Sequence, residues 1–118
     1  MPIVYEVNVV VAKDKATQYL EWLLPHIKEM YVLIEGLETH QVCTGPPTAP
    51  DNAPAHILDR VAGAPDQWVH YCISYRIGTK AALEDYQANR AAKMQASALA
   101  TFSKEDFVAW RRVLEVVA

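Results

Sequence analysis

The residues of this chain that could move a proton, hold a metal or attack an electrophile are four histidines, two cysteines and six tyrosines. The histidines, His26, His40, His56 and His70, include no H-x-H or H-x-x-x-H pair. No two of them are spaced to share one helical or strand face as metal ligands, so no metal site is expected. Cys43 and Cys72 form no C-x-x-C, and Cys72 has no base beside it in sequence, so both are read as free thiols and nucleophilic catalysis has no support. There is no GxGxxG, P-loop or GxSxG, and no cofactor is expected.

His26 is the remaining candidate. It stands in W-L-L-P-H-I-K-E-M, residues 22 to 30, beside a proline inside a helical pattern. Proline lacks the N–H that would bond the carbonyl four residues back, so Pro25 should loosen the helix at Glu21. Tyr19, Trp22, His26, Met30 and Leu33 form one stripe at helical spacing. Histidine's ordinary pKa, about 6.5, suits general-base catalysis near neutrality. Two readings stand: His26 is the base of an aromatic pocket with Tyr5, Tyr71 and Tyr75, or it packs at a helix edge on a carbonyl or water. Tyr86 and Arg90 lie on a second helix with Met94, at spacings of four. Arg90 either snorkels to solvent or holds an anionic group, such as a substrate oxygen or the Glu6 carboxylate.

The elements that must position these residues are legible. I-V-Y-E-V-N-V-V-V, residues 3 to 11, reads as a strand. Asp14 is placed to cap a helix over residues 15 to 35, with Ala16, Leu20, Leu23, Ile27, Met30 and Ile34 on its apolar face and Gly36 as its stop. Residues 37 to 43 read as a second strand. Four of the seven prolines follow within residues 44 to 54, marking an irregular insertion from about Thr44 to His56. H-I-L-D-R-V reads as a resumption of the second strand. Residues 67 to 77 are a third strand, and Gly78 and Thr79 introduce a helix over about 80 to 99. Residues 106 to 116 close the chain as a last strand.

With 118 residues, one domain is expected over 1 to 118, of class α+β. The order strand, helix, strand, strand, helix, strand is the ferredoxin-like βαββαβ pattern, an antiparallel sheet with two helices on one face. Alternation divides the sheet. Ile3, Tyr5, Val7, Val9, Val11, Val69, Tyr71, Ile73, Tyr75 and Ile77 face the helices. Val4, Glu6, Asn8, Val10, Trp68, His70, Cys72, Ser74 and Arg76 face away. Large apolar residues on that second face, mixed with Glu6, Asn8, His70 and Arg76, suggest cover by a second copy, hence a homodimer joined sheet to sheet. The four polar residues are then either a paired interface network or an acid/base set.

The net charge of −3, with basic residues scattered, leaves no footprint for nucleic acid. No apolar run is long enough to span a membrane, and Glu6 interrupts an N-terminal stretch that lacks the basic residues of a signal peptide. A cytoplasmic protein is expected.

The segments I-V-Y-E-V-N-V, Y-L-E-W-L-L-P-H-I-K-E-M, Y-C-I-S-Y-R-I, L-E-D-Y and F-V-A-W-R-R-V-L-E stand in an order that resembles a family of domains of unknown function related to the dimeric α/β-barrel superfamily. The resemblance covers most of the chain outside residues 43 to 66. It implies a ferredoxin-like protomer, a barrel of two sheets, and a cavity between sheet and helices. The superfamily holds cofactor-free oxygenases, polyketide cyclases, isomerases and heme-degrading enzymes. Two departures are the long Pro-rich insertion and N-R-A-A-K-M, where similar chains read more like H-A-P-x-M, so that Arg90 takes the histidine position. The expected function is small-molecule binding, with cofactor-independent proton transfer (isomerase, cyclase or oxygenase type) set against a carrier or sensor and a structural homodimer.

Overall fold

A computed structural model describes residues 1–46, 55–103 and 105–118, and for residues 56–58 the backbone alone. Most of the Thr44–His56 insertion, residues 47–54, therefore lies outside the described residues. The strands are β1 (Ile3–Ala12), β2 (Leu37–Gly45), β3 (Trp68–Ile77) and β4 (Phe107–Glu115). The helices are α1 (Ala16–Leu33), α2 (Ala55–Gly63), α3 (Lys80–Asn89) and α4 (Ala91–Thr101). The sheet runs β2-β3-β1-β4 with every neighbouring pair antiparallel, the expected ferredoxin-like arrangement.

The register sets what faces what. Tyr5 lies opposite Tyr75, Val9 opposite Tyr71, and Val7 between Ile73 and Arg111. Ile3, Tyr5, Val9 and Val11 are buried against Tyr19, Leu23, Ile27 and Met30 of α1 and Leu83 and Tyr86 of α3. Each such aliphatic side chain contributes roughly 1.5–3 kcal/mol of burial. Gly36 ends the approach to β2 at φ +78°, a backbone conformation that costs a residue with a Cβ, and its carbonyl accepts from Gly78 N–H at 3.0 Å.

Three expectations about the elements change. The Asp14 side chain does not cap α1: Lys13–Lys15 form a 3₁₀ turn, and the helix starts after Lys15 with no side-chain cap. H-I-L-D-R-V is not strand but the body of α2, where alanines flank apolar residues spaced by four and helical propensity wins over the short apolar run. The single helix over 80 to 99 is two helices. Arg90, at φ −134° and ψ −25°, separates them. Asn89 explains the break: its side-chain amide donates to the Asp85 carbonyl at 3.1 Å and to the Asp85 carboxylate at 2.9 Å, competing with the helical ladder. Thr79 does cap α3, accepting from Ala82 N–H at 3.2 Å.

The second sheet face is covered unevenly. Val61 of α2 packs on Val10 and Trp110, with Trp68 and Val108 alongside. That end of the patch, which suggested a second copy, is thus covered within the chain. At the other end Val4 is half-buried and its cross-strand neighbour Leu114 is exposed.

Candidate functional site

Trp22 and His26 are one turn apart on α1, and their rings stack with centroids 4.0 Å apart and planes at 22°. His26 Nδ1 is 2.6 Å from the Trp22 carbonyl oxygen. A carbonyl only accepts, so Nδ1 carries the proton and Nε2 presents a lone pair. Nε2 lies 3.2 Å from the Ser97 hydroxyl on α4, which donates to it. The Trp22 indole N–H in turn donates to Ser97 Oγ at 3.4 Å. Indole, hydroxyl, imidazole and carbonyl form a closed set that joins α1 to α4. Sequence reasoning missed Ser97, whose only signal is a hydroxyl beside Met94 and Ala98 in an alanine-rich helix.

Behind this set a cavity of about 70 Å³ lies between sheet and helices. That is well below an enclosed drug-sized site. Of the candidate residues, the fold brings Tyr5, Trp22, His26, Met30, Tyr75 and Tyr86 to its wall. Tyr5 and Tyr75 stack at 6.2 Å. Burial pushes the Tyr86 phenol up to about 12 and raises those of Tyr5 and Tyr75, so all three stay protonated donors near neutrality.

Tyr71 is not part of this wall. It is buried lower in the core, stacked on Tyr19 at 5.6 Å. Arg90 does not enter the cavity either, and it does not reach Glu6, which faces the other side of the sheet. Arg90 pairs through its guanidinium with Asp85 and lines a second pocket, to which His26, Glu29, Met94 and Ser97 also contribute. Arg111 does line the cavity, because its register opposite Val7 puts it on the helix face of β4. The signal was available in the period-two alternation of F-V-A-W-R-R-V-L-E.

On the outer face, Glu6, Asn8 and His70 are joined and Arg76 is not. His70 Nε2 lies 2.9 Å from Asn8 Oδ1, Asn8 Nδ2 donates to Glu6 at 2.9 Å, and Arg112 Nε donates to the same carboxylate at 2.9 Å. Arg112 takes the place expected of Arg76, which pairs with Glu38 at 3.1 Å instead. Arg112 lies directly opposite Glu6 on β4, whereas Arg76 lies two strand positions away, opposite Val4. Burial opposes ionisation of Glu6, but the bonds from Asn8 and Arg112 outweigh it and hold the carboxyl below its ordinary range. Burial pushes His70 down, partly offset by Glu6. Burial also raises the Cys72 thiol, keeping it protonated and poorly nucleophilic. Among the described residues no group of three His, Cys, Asp or Glu side chains could hold a metal ion. No helix among them is long and apolar enough to cross a membrane.

A family model described as a domain of unknown function, DUF4286, matches residues 2–117. The chain belongs to that family. No curated protein matches it. The fold is similar to that of SnoaB, a cofactor-independent oxygenase from Streptomyces nogalater, at 13% identity and TM-score 0.54, covering 97% of this chain and 92% of that one. It is also similar to a dimeric ferredoxin-like protein of unknown function from Jannaschia sp. CCS1 (14% identity, TM-score 0.51, 97% and 99% coverage). A de novo designed protein, Foldit4, gives TM-score 0.55 at 10% identity, covering 99% and 100%. These likenesses establish the fold, which dimeric ferredoxin-like proteins share.

Proposed function

We propose that this chain is a single small-molecule-binding domain that works as a homodimer joined through the outer sheet face, and that His26 is a general base acting on an apolar, oxygenated metabolite without a cofactor. The observation that carries the reading is the 2.6 Å bond from Nδ1 to the Trp22 carbonyl, which fixes the tautomer and leaves Nε2 as an acceptor at the edge of an aromatic cavity. In the proposed step Nε2 takes a proton from carbon next to a carbonyl, and the C–H electron pair becomes the enolate. Phenols kept protonated by burial donate to the enolate oxygen. Return of the proton to another atom completes an isomerisation; attack of the enolate carbon on a carbonyl carbon of the same substrate, with the proton returned to the new alkoxide, completes a cyclisation; and addition of the enolate carbon to molecular oxygen, with the proton returned to the peroxide, gives a hydroperoxide that keeps both oxygen atoms. SnoaB carries cofactor-independent oxygenation on a similar fold, an analogy of scaffold rather than of site.

The test is deuterium exchange into phenylacetone in D₂O, followed by NMR. Wild-type protein accelerates exchange and His26→Gln abolishes it with the fold intact. Equal rates for the two proteins would end the general-base reading. A second reading, a non-catalytic carrier or structural dimer, is favoured by both His26 nitrogens being already bonded, and the small cavity favours the structural dimer of the two. In the carrier, Trp22→Ala loses a co-purifying ligand in native mass spectrometry and His26→Gln keeps it. In the structural dimer no ligand is carried, and Glu6→Ala weakens association.

A further inference from the structure

Arg111 is the side chain of fixed charge among the described residues that line the inner cavity. No carboxylate shares that wall. Among the described residues the ion pairs are Arg76–Glu38, Arg90–Asp85 and Arg112–Glu6, and Arg111 belongs to none of them. A guanidinium at the rim of an aromatic cavity, with no acid beside it, is an exposed cation whose attraction for an anion is weakly compensated within the chain. Its influence reaches the phenols of Tyr5, Tyr19, Tyr75 and Tyr86, all of which it makes easier to ionise.

Arg111 also stands at a threshold. Together with Gln95, Ala98, Phe107 and Ala109 it lines both the inner cavity and an outer groove of about 380 Å³ between α4 and β4. The inner space alone does not enclose a whole ligand, but a ligand crossing the threshold has room on both sides. Its charged group is offered the guanidinium at the mouth, and its apolar part is offered Tyr5, Tyr75 and Met94 inside.

We propose that the site takes an amphiphilic organic carboxylate, held by its anionic group on Arg111 with its ring or short chain inserted into the aromatic cavity. The proposal rests on the reading of this cavity as a ligand site, and names the chemical class of its occupant. Arg111 is a binding and specificity residue. The bidentate fork of arginine matches a carboxylate, and a neutral isostere forfeits the charge-assisted bonds.

Benzoate and its isosteric neutral amide, benzamide, are the probes, each titrated to millimolar concentration while the Trp22 indole and Arg111 side-chain N–H resonances are followed by NMR. Benzoate is expected to bind at least about tenfold more tightly than benzamide, with an affinity that falls as salt rises. Arg111→Met erases the preference and Arg111→Lys keeps part of it. Equal binding of the two probes, a preference that survives in Arg111→Met, or no benzoate shift at either resonance would each overturn the proposal. The titration requires no turnover. A failure of His26 as a base therefore leaves it unchanged.

Discussion

His26 Nε2 lies 3.2 Å from the Ser97 hydroxyl, which together with the Trp22 indole bond to the same hydroxyl ties the middle of α1 to the middle of α4 at the wall of the cavity. The helix break at Arg90 is what allows this. A continuous helix over residues 80 to 101 could not change direction there, and α4 follows a course separate from α3.

Replacing Ser97 with alanine tests the tie. The variant loses the bonds to His26 and to the Trp22 indole, both partly exposed. Stability to urea should fall by about 1 kcal/mol, and the Trp22 indole N–H resonance should move. A variant as stable as wild type with an unmoved resonance would show that the bond does not form in solution.

Arg90 gives the opposite expectation. Its partner Asp85 is fully exposed and its own side chain is 42% exposed, so the pair is screened by water. Arg90→Ala should leave the melting temperature and benzoate binding close to those of wild type. Loss of binding in this variant, with Arg111 intact, would return Arg90 to the site.

The outer-face network sets an acid limit. His70 is pushed below its ordinary value of 6.5, so the unfolded chain takes up its proton first as pH falls, and stability begins to drop below about 6.5. Glu6, also held below its ordinary value of 4.5, contributes stability that is present above that pH and is lost as pH falls further. Urea midpoints from pH 8 to pH 3 should show both phases, and His70→Gln should remove the upper one alone. A flat profile through pH 5 would mean that His70 is not buried in solution as it is here.

Trp110 is buried, and among the described residues its indole N–H has no partner; an orphaned donor costs roughly 1–3 kcal/mol. Trp110→Phe removes that donor and some packing against Val10 and Val61, two effects of opposite sign. The net loss should be about 1 kcal/mol or less, where truncation of a well-satisfied buried tryptophan to alanine costs about 3–5 kcal/mol. A loss at the upper end of that range would show that the indole N–H finds a partner in solution.

The strands were legible because β-branched and aromatic residues alternate in them, and alternation also assigned Tyr5 and Tyr75 to the helix side. The stripe on α1 was legible for the same kind of reason, since Trp22, His26 and Met30 stand at spacings of four. Arg90 shares no cavity wall with Tyr86, although its spacing to Tyr86 and Met94 suits one helix, because the helix breaks at Arg90 itself. Helix α2 was misread because a six-residue run cannot by itself separate a strand from a short helix.

By itself the sequence determined the order of elements, the ferredoxin-like topology, and which side chains of each strand share a face, because those follow from local periodicity. Only the tertiary structure decided that Ser97 meets His26, that Arg111 rather than Arg90 reaches the cavity, and that Arg112 rather than Arg76 pairs with Glu6. Each is a pairing between elements far apart in the chain. Such pairings depend on strand register and on where a helix breaks, and a one-residue change in either moves a side chain to another face.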